Sequence, residues 1–226
     1  MTDYYSGKLF ADKLRRCYEI APRRVQQYLQ AEIALVLRFT HSHHHVLELG
    51  CDYGRVLKSL AEKVRLVVGI DTSMGSLKAA RDYLADCGSG YCLACMDAAT
   101  LAFSDDSFEL VVCIQNGISV FHVDQHQLIG ESLRVLRPGG TALFSSYAGG
   151  FWESRLEWFE LQSSEGLLGE IDYDQTGDGT VVCKDGFTAT TFGAEEFRKL
   201  ASGFDVDCDT IEVDGSALFC DLRSRV

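Results

Sequence analysis

Five short apolar runs, each followed by residues with helical or turn-forming character, constrain this chain more than any other feature. Residues 46–49, 66–70, 91–95, 110–114 and 141–145 are apolar runs, broken mainly by Glu48, rather than strict apolar–polar alternations, as strands buried on both faces are. Residues 55–63, 73–86 and 124–136 carry apolar positions at helical intervals between them. Strand and helix in alternation require right-handed crossovers and a mainly parallel sheet covered on both sides. The expected fold class is therefore α/β, doubly wound.

The flanks elaborate this frame. Residues 23–39 place Val25, Tyr28, Leu29, Ile33, Val36 and Leu37 on one helical face, and Pro22 separates them from a shorter helix at 8–18. Together they form an N-terminal helical cap over 1–40. Asp124 reads as a helix N-cap, and Arg137-Pro138-Gly139-Gly140 as a helix stop and a turn into the next strand. After Tyr147 the rhythm changes. Residues 151–163 carry Trp152, Leu156, Trp158 and Phe159 at helical spacing, then 166–186 are rich in Gly and Asp around a short strand at 180–183. Residues 147–192 read as an insertion or lid. A helix at 195–201 and strands at 205–213 and 217–222 follow, the last two joined by the hairpin signal Asp214-Gly215. With no internal repeat or linker, 226 residues read as a single domain, 1–226.

Charge narrows the partners. The formal net charge is -12, and from Trp152 onward there are 6 Lys/Arg against 17 Asp/Glu. A nucleic-acid binder needs a basic face to displace counterions, so a nucleic acid is not the expected partner. No apolar run approaches the roughly 20 residues that span a bilayer. Met1-Thr2-Asp3 lacks the basic, then apolar, start of a signal peptide, so no membrane association and a cytoplasmic location are expected. The nine cysteines, among them Cys92, Cys95, Cys113 and Cys220 inside apolar runs, are expected to be reduced and buried. Cys92 and Cys95 have redox-like spacing, but on a strand they point to opposite faces. His41, His43, His44 and His45 are neighbours in one loop, a poor basis for a metal site, and no metal is expected.

Ligands of open α/β sheets sit at the carboxyl ends of the strands. Three successive strands end in acids here: Glu48 in "VLELGCDYG", Asp71 in "VVGIDTS" and Asp97 in "CMDAA". Gly50 and Gly54 let the first loop turn sharply beneath a ligand. Three carboxylates suit a ligand rich in hydroxyl and amino donors and would repel a pyrophosphate.

In these residues the chain resembles the class I S-adenosylmethionine-dependent methyltransferases. "LELGCDYG" resembles their first motif, "GIDTS" the acidic end of the second strand, "MDAATLAFSDDSFELVVCIQNG" the adenine loop and fourth motif, and "LRVLRPGG" the turn before strand five. The resemblance implies a seven-stranded sheet with an antiparallel last strand, and S-adenosylmethionine as cofactor. It implies that the loop from Gly50 to Gly54, with Cys51, lies under the methionine part beside Glu48. Asp71, followed by Thr72, would bind the ribose hydroxyls, Asp97 and Ala98 the adenine, and Gln115 would line the pocket floor. Asp52 departs from the pattern, standing where that motif usually has glycine. Aspartate tolerates left-handed backbone, so the turn can survive, and its carboxylate could face the ligand's ammonium.

Methyl transfer from a sulfonium needs positioning more than covalent help, and a base only if the acceptor must lose a proton. His122 is the candidate base, read against a surface or capping histidine. Tyr147 and Trp152 are candidate substrate walls, read against plain core packing, and Tyr4, Tyr5 and Arg16 of the N-terminal segment are candidates to close the other side. "CIQNG" lacks the Pro-Pro-aromatic sequence of adenine-N6 enzymes, and no Pro-Cys nucleophile of the cytosine enzymes occurs. A small-molecule acceptor, methylated on O, N or S, is the expectation. A nicotinamide-dependent or non-catalytic nucleotide-binding domain, and a protein or RNA methyltransferase, are the alternatives. The oligomeric state stays open.

Overall fold

The computed structural model describes Tyr4, residues 8–88 and residues 90–225; Tyr5 lies outside them. Helices α1 (Asp12–Glu19) and α2 (Arg23–Arg38) precede β1 (His45–Leu49), α3 (Arg55–Ala61), β2 (Leu66–Asp71), α4 (Met74–Tyr83), β3 (Tyr91–Cys95) and β4 (Phe108–Cys113). Then come α5 (Gly117–Val120), α6 (Gln125–Arg134), β5 (Leu136–Tyr147), α7 (Trp152–Ser164), β6 (Thr180–Val182), β7 (Thr188–Thr190), α8 (Ala194–Ala201), β8 (Val206–Val213) and β9 (Ala217–Ser224).

Seven strands form one sheet in the order β3-β2-β1-β4-β5-β9-β8, while β6 and β7 pair separately. The pairs β3/β2, β2/β1, β1/β4 and β4/β5 are parallel; β9 runs antiparallel to both β5 and β8. The central strands explain the continuous apolar runs: Val46, Leu47, Val111, Val112 and Cys113 are essentially inaccessible because helices cover both faces. Asp214 (φ 55) and Gly215 (φ 61) close the β8–β9 hairpin, with Ser216 N donating to the Val213 carbonyl at 3.0 Å. No helix among the described residues is long and apolar enough to cross a membrane.

Three local expectations need correction. The α2 face is turned toward Glu32, which is fully buried with Val25, Tyr28, Leu29, Leu35 and Val36, whereas Ile33 and Leu37 are only half-buried. The Glu32 carboxyl can enter because Ser145 and the Gln115 amide receive it. Cys92 and Cys95 are exposed, because β3 is an edge strand; each of the nine cysteines is a free thiol. Finally, β5 begins at Leu136, so Arg137 to Gly140 form an irregular start to the strand, with a register shift opposite Phe108 and Leu110.

Candidate active site

At the carboxyl ends of the parallel strands lies a cavity of about 290 Å³, close to the small end of the ligand-pocket range of about 300–1,000 Å³. Gly50, Asp52, Asp71, Thr72, Met96, Asp97 and Ala98 line one part of it, all from the loops after β1, β2 and β3. Tyr18, Tyr28, Phe121, Tyr147, Trp158, Phe159 and Gln162 supply an aromatic part, and Gln115, Gly117 and Val120 come from the turn after β4.

The glycine turn is built for close approach. Gly50 has φ 71, and a Cβ there would stand 2.5 Å from the Phe121 ring, so only glycine fits. Gly54, at φ 88, starts α3. Asp52 adopts φ 43, the left-handed conformation its sequence position requires. One oxygen of its carboxylate is used within the fold: Oδ1 accepts from Ser76 Oγ at 2.6 Å and from the Ala11 amide at 3.2 Å, tying the turn to α4 and to the residue before α1. Asp71 accepts from the amides of Ser73 at 2.7 Å and Asp52 at 3.0 Å. Two backbone donors thereby fix the orientation of this strand-end acid. Asp97 Oδ1 accepts from the Ala99 amide at 2.8 Å.

Behind the turn sits a dense group of charges. Burial pushes the Glu48 carboxyl up to about 8, against the opposing pull of Arg55, and burial pushes Asp52 up to about 6, against its bond from Ser76. Glu32, on α2, is pushed up to about 7, again by burial, while Ser145, Arg55 and the Gln115 amide pull it down. Glu48 Oε2, Asp52 Oδ2, Arg55 Nη2 and Gln115 Nε2 are buried without a hydrogen-bond partner among the described residues. Two acceptors and two donors, gathered around a single turn, match a ligand that brings an ammonium or hydroxyls and acceptors of its own.

Strain marks the turn after β4. Gln115 (φ 56) and Asn116 (φ 62) are consecutive left-handed residues, a cost of order 1–3 kcal/mol each. They are held because Asn116 Nδ2 donates to the Thr190 carbonyl at 3.1 Å, Ser146 Oγ donates to Asn116 Oδ1 at 2.7 Å, and Tyr18 Oη donates to Gln115 Oε1.

The roof is stitched from both flanks. Trp158 Nε1 on α7 donates to the Cys17 carbonyl on α1 at 2.8 Å. Fully buried Arg155 donates to the carbonyls of Gly179 and Ala189 and to Thr191 Oγ1 at 2.7–2.8 Å, which fastens α7 to the β6–β7 hairpin. Its guanidinium also lies 4.3 Å from the centre of the Tyr147 ring. Tyr4 Oη and Lys8 Nζ reach Asp185 in that hairpin at 2.8 and 3.1 Å, and Arg16 reaches Glu165 at 3.4 Å.

Of the residues singled out in the sequence, Gly50, Asp52, Asp71, Thr72, Asp97, Ala98, Gln115 and Tyr147 line the cavity together. Glu48 and Cys51 line a smaller adjoining space of about 30 Å³. Gly54 shapes the turn without lining either space. His122 is exposed, at φ 53, and its neighbours Phe121 and Val123 face the cavity instead. Trp152 lies outside the lining, 5.7 Å from the Arg155 guanidinium, while Trp158 and Phe159 of the same helix line it. Glu32, Tyr28, Tyr18 and Phe121 carried no assignment from sequence. The signal for Glu32 was its place four residues after Tyr28 on an otherwise apolar face.

Residues 46–140 match the methyltransferase domain family. Over 103 residues, 43% of this chain, the sequence is 38% identical to the methyltransferase GfsG of Streptomyces halstedii, covering 35% of that protein. A second match of 103 residues, 45% of the chain, is 32% identical to a ubiquinone biosynthesis O-methyltransferase of Idiomarina loihiensis and covers 41% of it. The chain thus spans less than half the length of these relatives. The fold is similar to that of the N-methyltransferase NodS of Bradyrhizobium japonicum in complex with S-adenosyl-L-homocysteine, with a TM-score of 0.62, 16% identity, and coverage of 95% of this chain and 97% of that one. Strand order, glycine turn, strand-end acids and sequence match agree: residues 46–140 match a methyltransferase domain, and the chain as a whole has the fold of a solved S-adenosylhomocysteine-bound methyltransferase.

Proposed function

We propose that the protein transfers a methyl group from S-adenosylmethionine to a small-molecule acceptor held under its aromatic roof. The observation that carries this reading is the partition of one cavity into a strand-end part, with Gly50, Asp71 and Asp97, and an aromatic part, with Tyr28, Tyr147 and Trp158. When bound, S-adenosylmethionine supplies a methyl group activated by its sulfonium. Asp71, oriented by two backbone amides, would accept from ribose hydroxyls, and Asp97 with Ala98 would hold the adenine. Glu48, Asp52 and Gln115 offer unpaired polar atoms to the amino-acid part.

The remaining residues orient the acceptor and exclude water, the largest part of what such a reaction asks of a protein. Residues 147–192 act as a lid together with the N-terminal cap, because Trp158, Phe159 and Gln162 on α7 close the cavity against Leu14 and Tyr18 on α1. The enclosure supports a compact acceptor over a polynucleotide, as does the net charge of -12. A screen with methyl-labelled S-adenosylmethionine over small phenols, amines and thiols, with transfer RNA and cell-extract protein alongside, tests the reading. Label in a small molecule is the expected result; label only in RNA or protein would contradict it.

A further inference from the structure

Resting on that reading, we propose that the acceptor is an aromatic hydroxyl compound and that Glu32, acting through Tyr28, takes up the hydroxyl proton.

The aromatic part of the cavity is formed by Tyr18, Tyr28, Phe121, Tyr147, Trp158 and Phe159. Its polar lining there is the tyrosine hydroxyls and the neutral amides of Gln115 and Gln162, and among the described residues no Lys or Arg lines the cavity. Such walls suit a flat, uncharged ring, whose face stacks while an edge hydroxyl is oriented by an amide. An aromatic hydroxyl is a weak nucleophile until its proton leaves, so a proton acceptor must lie within reach.

Tyr28 and Glu32 stand one turn apart on the same face of α2, and both are fully buried. Tyr28 lines the cavity; Glu32 lies behind it. Tyr28 Oη and Glu32 Oε2 are engaged by no other well-formed hydrogen bond among the described residues, and the two side chains are close enough that a bond between them contributes to the ionisation of each, with the Tyr147 hydroxyl also beside Tyr28. Glu32 Oε1 is already engaged, accepting from Ser145 Oγ and from the Gln115 amide. Its second oxygen is the one left to receive a proton.

The groups that face Glu32 are Tyr28 on its own helix, Arg55 on α3, Ser145 and Tyr147 on β5, and Cys113 at the end of β4. Arg55 is the cation among them and favours the carboxylate, whereas burial favours the acid. The balance leaves Glu32 near 7, so it is a carboxylate ready to accept above neutrality. In the transfer, the acceptor O–H bond breaks and its electron pair stays on the acceptor oxygen. That proton binds Tyr28 Oη as the Tyr28 proton passes to Glu32 Oε2. Tyr28 stays neutral throughout, consistent with burial holding its own ionisation far above the usual range, and the net exchange turns a phenol and a carboxylate into a phenolate and a carboxylic acid.

The test uses 3,4-dihydroxybenzaldehyde, a catechol whose phenolate absorbs at longer wavelength than its phenol. It is bound to the full chain saturated with S-adenosylhomocysteine, so no turnover is needed. The bound probe is titrated by absorbance, and proton release to solvent is counted calorimetrically in two buffers of different ionisation heat. Wild type is expected to ionise the bound probe at a lower pH than free probe, with the proton retained by the protein. Glu32→Gln and Tyr28→Phe are each expected to bind S-adenosylhomocysteine as wild type does while losing that retained proton, shifting the probe's ionisation upward by on the order of one pH unit or more. Should Glu32→Gln fail to fold, Tyr28→Phe decides alone. Ionisation and proton retention like wild type in the variants would overturn the proposal. So would a wild type that binds S-adenosylhomocysteine but neither binds nor ionises the catechol. If wild type does not bind S-adenosylhomocysteine at all, the methyltransferase reading itself fails, and the inference with it.

Discussion

Asp52 Oδ1 and Ser76 Oγ are 2.6 Å apart, and the same carboxylate oxygen also accepts from the Ala11 amide. The aspartate that replaces a glycine in the first motif is thus a tether between three segments: the glycine turn, α4 and the entry to the N-terminal cap. Asp52→Gly is expected to keep the sheet intact, since the backbone at φ 43 suits glycine at least as well. It should free the segment before α1. The loss of bonds to a charged group, worth about 1.5–3 kcal/mol each, would appear as at least tenfold faster hydrogen exchange at the Ala11 amide. Unchanged exchange there would show that the tether carries no weight.

Gly50→Ala is expected to weaken S-adenosylhomocysteine binding more than tenfold without unfolding the protein. The new Cβ would stand 2.5 Å from the Phe121 ring, at a φ of 71 that side chains rarely adopt. Either the ring leaves the cavity wall or the turn shifts. Calorimetric titration of the variant beside wild type measures the loss, and near-ultraviolet circular dichroism checks the fold.

Arg155→Met is expected to lower stability by about 3 kcal/mol or more, read as a shift of the urea midpoint. Methionine fills the volume but strands the Gly179 and Ala189 carbonyls and Thr191 Oγ1 in the interior. Arg155→Lys should not restore the loss, because an ammonium cannot span the three acceptors as a planar fork does.

Three carboxyls set an unusual pH dependence. Glu32, Glu48 and Asp52 are all raised by burial, to about 7, 8 and 6. A carboxyl whose folded pKa lies above its unfolded one stabilises the protein fully below the unfolded value, and that contribution is lost as pH rises through the folded value. Stability is therefore expected to fall between about pH 4.5 and 8. Glu32→Gln should flatten the part of that fall below about 7, by up to about 3 kcal/mol at 1.4 kcal/mol per pKa unit. Urea unfolding at a series of pH values, wild type against variant, measures the difference. Parallel curves would contradict the assignment.

Much of this was legible because it follows from local chemistry. Apolar runs gave the strands, the central ones buried on two faces and β3 half-open at the sheet edge, and Asp214-Gly215 gave the hairpin because its backbone demands φ > 0. The acids at strand ends were visible because strand ends are where a sheet of this kind presents ligands. The aromatic side was harder to read. Trp152 and Trp158 sit on one helix, and only the packing of α7 against α1 decides that Trp158 faces the cavity. His122 looked favourably placed, yet a left-handed turn carries it outward and presents Phe121. Glu32 was hidden because its solvation comes from Ser145 and Gln115, residues 113 and 83 positions away.

The most direct test of the central claim is calorimetric titration of wild type and Asp71→Ala with S-adenosylhomocysteine and S-adenosylmethionine, with NAD as comparator. The expected result is binding of the first two and not NAD by wild type. In Asp71→Ala, affinity should fall at least tenfold while unfolding stays cooperative. Equal affinity in the two proteins, or a preference for NAD, would contradict the assignment of the strand-end cavity to this cofactor.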